Sequence, residues 1–524
     1  MLGKNQASSI YSRRTFIKTA AAVAAGASCA AQGRLALAAP VPSERIRQVF
    51  LDLNNIHKWD GSNGDTWDPF WADDDNLYAF NCDGRGFGTQ RRNLAFNKLA
   101  GEACDSLAGS SVNSMDEYGT SGKKGPDGAN WKACGQECID GVFYAFVSRN
   151  TYGKDSGDPL MRQTAANSSL IKSTDRGLTW TRSADENYSQ PMWPGPAFGA
   201  PFFVHYGRNG GAVPRDRADR YVYASSTNGF WNDGDSYILG RVERSKLPAL
   251  RSADWSYYTG GDGGRNESWS HRIAEAHPIL SSSAHCGQGP ICFIPSLNLY
   301  LLVAWYNTAK LTKWFEPNRM RYDFYQAEHP WGPWTPIGSH DDSFISSGHM
   351  YGPSLCAKFQ KRQGSEVRMS MFTSGCPFED VPSGLYKMWE IPLILRTEPA
   401  PASHAIRADD PRIAYSGRWH GGDNRLASLD PHTRYTDTAG SSAELKFEGS
   451  GVAFYTEKGP EFGQVEVSLD GHPKAAADLA TKNFPRISHV QVFAVNGLRK
   501  GKHTIRVANT GGSTAAVEEF RVIE

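Results

Sequence analysis

"GDTWDPFWADDDNLYAF", Gly64 to Phe80, has parts that recur along the chain. Asp68 and Pro69 lead into an aromatic pair, three aspartates make a turn, and Leu77 to Phe80 resume as an apolar run. This reads as two short strands joined by an acidic turn. Runs like the second strand follow at "VFYAF" (Val142 to Phe146), "RYVYA" (Arg220 to Ala224), "LYLLV" (Leu299 to Val303) and "VRMSMF" (Val367 to Phe372). Each has a shorter run before it, as in "GQECI" at Gly135 and "GAPFFV" at Gly199, and a third run after it, as in "SLIKS" at Ser169 and "YILGRV" at Tyr237. If Tyr78, Tyr144, Tyr221, Tyr300 and Met369 are equivalent, the intervals are 66, 77, 79 and 69 residues. Such long, uneven repeats suit four-stranded blades with long loops. The pattern predicts an all-β fold, a five-bladed β-propeller over residues 45–395, with "RIRQVFLDL" (Arg45 to Leu53) as the strand that closes the ring and removes its free edges.

The N-terminus is of another kind. "SRRTFIK" (Ser12 to Lys18) precedes an alanine-rich run and "LALAAP", which resembles a twin-arginine export signal over residues 1–38. Use of the twin-arginine translocase and a periplasmic or extracellular location are therefore expected. The apolar run from Thr19 to Ala30 is too short to span a bilayer, so no membrane span is expected in the mature protein. The signal holds five of the 56 basic residues and none of the 55 acidic ones, leaving 51 against 55. That balance excludes a nucleic-acid binder driven by bulk charge. Eight cysteines follow the signal, enough for four disulfides or for buried free thiols; Cys134 and Cys138 have no second Cys or His pair nearby to complete a zinc site.

"STDRGLTW" (Ser173 to Trp180) resembles the Asp-box of sialidases and other propellers, a hairpin turn between the third and fourth strands of a blade. "PWGPWTP" at Pro330 holds the same place in the fourth unit. Asp175 is peripheral in such turns and is not a catalytic candidate. After "IPLIL" the composition shifts: residues 396–411 read as a Pro/Ala-rich linker, and residues 412–524 as a jelly-roll-like β-sandwich. "GQVEVSLDG" (Gly463 to Gly471) looks like the modules that accompany secreted carbohydrate enzymes, so a carbohydrate-binding face of Trp419, His420, Tyr435 and Tyr455 is one expectation. A buttress for the propeller is the other.

The opening stretch, with "DGRGFG" after it and "RYVYA", "ILGRV", "DWSYYTG" and "PWGPWTP" downstream, resembles a family of secreted five-bladed propellers that includes bacterial endo-D-arabinanases. It is similar, more distantly, to the arabinanase and fructosidase propellers. The resemblance implies a glycoside hydrolase with a polysaccharide or oligosaccharide in an axial funnel, Asp68 as base or nucleophile, Trp67 and Trp71 as ring faces, and Trp231 as a further substrate-binding candidate. Hydrolysis needs a second carboxylate as acid. The related pattern wants a Glu on a middle blade, "GAPFFV" lacks one, and the candidates are Glu117 in "NSMDEYG" and Asp233 or Asp235 in "FWNDGDSY". In this reading Asp73 to Asp75 form a solvated turn, Asp83 ends the second strand, and Asp65 has no assigned part.

Two histidines support another class. His285 and His349 precede equivalent inner strands and, with Tyr351, Arg149 and Arg85, resemble the equipment of propeller polysaccharide lyases, where Arg neutralises a uronate and His or Tyr moves a proton. A third reading is a non-catalytic glycan-binding protein. No organic cofactor is expected, since "GRGFG" and "GGDGG" lack a following helix; the clustered aspartates would suit a structural calcium ion whose ligands cannot be named from sequence.

Overall fold

The computed structural model describes residues 44–182, 190–212, 214, 220–261, 266–308, 320–346, 348–421, 430–482 and 484–524. The export signal expected over residues 1–38 lies outside them. Among the described residues the regular structure is strand and short 3-10 turns, with no α-helix and no helix long and apolar enough to cross a membrane.

Residues 48–396 form five antiparallel sheets. Sheet one orders Phe70–Trp71, Leu77–Gly84, Arg92–Ala100 and Ala108–Asn113; sheet two orders Asn130–Ile139, Val142–Thr151, Thr164–Ser173 and Thr181–Arg182. Sheet three runs Pro201–Phe203, Tyr221–Thr227, Gly234–Glu243 and Trp255–Gly260, with Ser268–Ser270 and Leu280–Cys286 added. Sheet four is Ile291–Ile294, Leu299–Asn307, Met320–Ala327 and Thr335–Asp341. Sheet five takes His349–Gln363, Glu366–Cys376 and Met388–Arg396, and its outer strand is the N-terminal Gln48–Leu51, with Gln48 opposite Arg396. The five runs read as second strands lie in the second strands of the five sheets, apart from Arg220, which precedes Tyr221–Thr227.

The sheets close on one another. The first strand of sheet one packs on that of sheet two, two on three, four on five and five on one, while His205 bridges to Cys292 between three and four. Second strands are buried on both faces, so their sequences are nearly continuous apolar runs. In sheet one Tyr78 and Phe80 join Phe143 and Val147 of sheet two, while Leu77 and Ala79 join Phe372 and Met388 of sheet five. In sheet two Tyr144 and Phe146 turn instead to Phe203 and Trp255 of sheet three. Alternate side chains thus serve alternate neighbours, the period of two expected of a strand.

The turn at 173–180 is built by short polar bonds. Ser173 Oγ accepts from the Gly177 amide at 2.8 Å, Asp175 accepts from the Thr179 amide and hydroxyl at 2.9 and 2.6 Å, and Trp180 lies 5.1 Å from both Phe80 and Phe96. Arg176 in this turn reaches Asp73 at 2.9 Å and Asp74 at 3.1 Å. The acidic turn of sheet one is therefore more than a solvated loop: it pins sheet two to sheet one.

Residues 403–523 add a four-stranded, a five-stranded and a three-stranded sheet, and the first two share a core of Ile406, Leu445, Phe454, Val467, Ile505 and Phe520 among others. Ser403–Arg407, inside the segment expected to be a linker, is a strand paired with Glu519–Ile523, because Ile406 and the following Ala408 are buried. Nor does this region stand apart. Ile487 and Val490 enter the core of sheets four and five, Phe484 lies 5.1 Å from Trp389, and Ser488 donates to the Phe344 carbonyl at 2.8 Å. Tyr435 and Tyr455 are buried, so of the expected sugar face only Trp419 and His420 are partly exposed. All eight cysteines of the described chain are buried free thiols.

Candidate functional site

Asp68 is at the centre of the ring, but not in an open site. Its Oδ1 lies 3.0 Å from His205 Nε2 and accepts from Ser354 Oγ at 2.5 Å; its Oδ2 accepts from the Gln136 amide at 3.0 Å. The other nitrogen of His205 lies 2.9 Å from Glu137 Oε2. Burial opposes charge on His205, but Asp68 and Glu137 outweigh it and lift its pKa to about 10. Asp68, His205 and Glu137 are 1%, 2% and 2% exposed. The His205 ring is thus held between the Asp68 and Glu137 side chains, joining sheets one, two, three and five, and this group does not line the cavity described next.

A cavity of about 620 Å³ is bordered by loops and strand ends of sheets one, two, three and five. Two carboxylates line it, Asp65 and Asp83. Asp65 pairs with Cys82 across a two-bond bridge that sets it beside the end of the second strand of sheet one, where Asp83 stands. Gly64 permits that approach: at φ +124° a Cβ there would meet Asn81 at 2.5 Å and the Cys82 carbonyl at 2.7 Å. Thr66, directly after Asp65, is left-handed at φ 54°, as is Asp83 at φ 49°. For a β-branched residue this costs on the order of 1–3 kcal/mol, and such strain gathers at functional sites.

The two acids differ in surroundings. Asp65 accepts from the Tyr351 hydroxyl at 2.8 Å, and burial, reinforced by Asp83, raises its pKa to about 6 although Lys132 and the tyrosine bond oppose the rise. Asp83 Oδ2 is ion-paired with Lys132 and accepts from the Tyr152 hydroxyl at 2.8 Å. Burial works against the Lys132 ammonium, yet Asp83, Tyr152 and Asp65 together hold its pKa well above the ordinary lysine value. Asp83 Oδ1 is buried with no hydrogen-bond partner among the described residues. Trp231, Gln163 and Tyr386 also stand in the wall. One carboxyl that keeps a proton into the mildly acidic range beside one carboxylate with a fixed counter-charge is what acid-and-base cleavage of a glycosidic bond requires.

Of the residues expected from sequence, Tyr351 and Trp231 line this cavity and the others do not. Trp67 is wholly buried, its indole donating to the Gly64 carbonyl at 3.0 Å. Glu117 is an exposed loop acid paired with Arg182 at 3.4 Å. Burial pushes the Asp235 pKa up, but the Ala284 amide, Asn228 and Arg162 pull it below the usual value, which unsuits it as an acid. Asp233 is taken by the amide and side chain of Asn307 at 2.6 and 2.7 Å. His285 stacks on Tyr306 at 3.9 Å, whereas His349 is buried 3.0 Å from the Cys376 sulfur, so the two histidines do not meet in one site. Arg85 is bound to Asp380, and Arg149 to Asp127 over the Trp131 ring. Among the described residues no group of three or more His, Cys, Asp or Glu side chains converges to hold a metal ion.

Sequence reasoning passed over Lys132, Tyr152, Arg91 and Tyr386. Lys132 carries a signal that could have found it, a lone cation inside the buried strand "NWKACGQECI", since lysine is seldom buried without a partner carboxylate. The tyrosines carry none, because this chain uses tyrosine throughout its core.

No family model matches the chain. An A type blood N-acetyl-alpha-D-galactosamine deacetylase of Flavonifractor plautii is 31% identical over 110 residues, 21% of this chain and 14% of that protein. An A type blood alpha-D-galactosamine galactosaminidase of the same organism is 28% identical over 118 residues, 22% of this chain and 11% of that protein. The chain therefore spans only a small part of the length of these curated relatives. Among solved structures, an exo-beta-1,3-galactanase of Phanerochaete chrysosporium aligns with 91% of this chain and all of its own, at 11% identity and a TM-score of 0.39. The chain is thus similar, over part of its length, to proteins named as carbohydrate-active enzymes.

Proposed function

We propose that the protein is a secreted glycoside hydrolase that cleaves a polysaccharide or oligosaccharide in the cavity between Asp65 and Asp83. The observation that carries this reading is the pairing of two carboxylates in one cavity with opposed environments: Asp65 buried and raised to about 6, Asp83 neutralised by Lys132. In this reading Asp65 protonates the leaving oxygen and Asp83 acts as base or nucleophile, with Tyr351 and Tyr152 orienting the two. Trp231 supplies an apolar ring face for a sugar.

The five sheets are read as the blades of a five-bladed β-propeller closed by the N-terminal strand. The turn at 173–180 is read as an Asp-box, and the C-terminal sheets as a β-sandwich that braces sheets four and five. Export by the twin-arginine route fits buried, unpaired thiols, since that route carries proteins already folded in a reducing compartment.

The test is incubation of the purified mature protein with neutral and uronate-containing polysaccharides, read by reducing ends and by ultraviolet absorbance of unsaturated products. Reducing ends without absorbance, lowered about 100-fold or more in both Asp65→Asn and Asp83→Asn, support the proposal. Cleavage undiminished in Asp65→Asn, or absorbance rising in step with reducing ends, contradicts it.

A further inference from the structure

The charges on the cavity wall do not balance. Asp83 and Lys132 cancel as an ion pair, and Asp65 is the remaining acid. Arg91 and Lys154 also line the cavity, and neither has a carboxylate within ion-pair distance among the described residues. Elsewhere on this protein the arginines beside such loops are matched: Arg85 by Asp380, Arg149 by Asp127 and Arg162 by Asp158 and Asp235.

Arg91 is also held in place rather than loose in solvent. One terminal nitrogen donates to the Asp83 carbonyl at 3.0 Å, the other to Asn63 Oδ1 at 3.3 Å, and the guanidinium lies 5.9 Å from the centre of the Tyr386 ring. A guanidinium has five N–H donors, so these two bonds leave three for a ligand. Its planar fork matches a carboxylate in two parallel bonds, and fixing the fork beforehand reduces the entropy lost on binding. Lys154, exposed at the rim, adds attraction without geometry.

We propose that Arg91 makes this cavity selective for an acidic glycan, taking the carboxylate of a uronate residue while the neighbouring linkage lies between Asp65 and Asp83. This rests on the hydrolase reading only in taking the same cavity as the substrate site.

The experiment is calorimetric titration of the mature protein with glucuronate-, galacturonate- and mannuronate-containing oligosaccharides, with each one's carboxyl-reduced neutral counterpart, and with a sulfated neutral oligosaccharide. At least one uronate ligand is expected to bind about tenfold or more tightly than its reduced counterpart. That margin should weaken with added salt, shrink in Arg91→Lys and vanish in Arg91→Met. Unchanged thermal midpoints would show that both variants are folded; if Arg91→Met does not fold, Arg91→Lys and the salt series carry the test. Equal affinity for acidic and neutral forms, no binding of either, tighter binding of the sulfated ligand, or a margin that survives loss of the guanidinium overturns the proposal. Uronate selectivity without any cleavage would instead leave this inference standing and remove the hydrolase.

Discussion

In the proposed reading the chemistry turns on two single residues, Asp65 and Lys132. If Asp65 is the acid, the active form is the protonated one, and kcat/KM should fall as pH rises through about 6, tenfold per unit beyond it. Lys132 lowers the Asp65 pKa, so Lys132→Met should move that alkaline limb upward while leaving the Asp83 carboxylate unpaired. Breaking a buried pair from one side costs about 3–5 kcal/mol, which a denaturant titration of the variant will read. Asp68 makes the opposite case. With its carboxylate committed to His205, Ser354 and Gln136 and no surface on the cavity, Asp68→Asn should lower the thermal midpoint yet leave the pH profile of the folded fraction in place. Asp68 stands out in the sequence through the resemblance of its stretch to hydrolase propellers, not through a local sign of catalysis. The sequence could not mark Asp65, whose part depends on Tyr351 from 286 positions away. Contacts made across the ring leave no local trace in composition or spacing.

Strands and turns were far more legible. Second strands are buried on both sides by neighbouring sheets, so their apolar runs stand out in the sequence, and the N-terminal run Gln48–Leu51 pairs with the last strand of sheet five as its pattern suggests. What could not be read was local polarity with a distant partner. Asp73 to Asp75 look like a solvated turn, and only the fold brings Arg176 to them from sheet two. The strand Ser403–Arg407 was hidden in a Pro/Ala-rich stretch because five residues give too short a pattern beside such a composition. Asp175 fixes its turn by three bonds from Thr179 and Ser173. Asp175→Ala should cost about 1–2 kcal/mol, measured by chemical denaturation, with kcat unaltered, since the turn lies away from the cavity lining.

For the whole molecule, closure and bracing matter together. The N-terminal strand completes sheet five, and the C-terminal region packs into the core of sheets four and five through Ile487 and Val490. Replacing Ile487, 1% exposed, by alanine should cost about 2–5 kcal/mol and loosen sheets four and five as one unit, which hydrogen exchange across Leu299–Asn307 and Glu366–Cys376 would show. The cavity draws its walls from four sheets, so its shape depends on that rigidity. Whether Asp65 is the acid of this cavity is read from the pH dependence of kcat/KM for the wild type and Asp65→Asn, on a glycan the wild type cleaves. An alkaline limb near pH 6 in the wild type, with activity down at least about 100-fold and the limb gone in the variant, is the predicted result. A variant that keeps both the rate and the limb would contradict it.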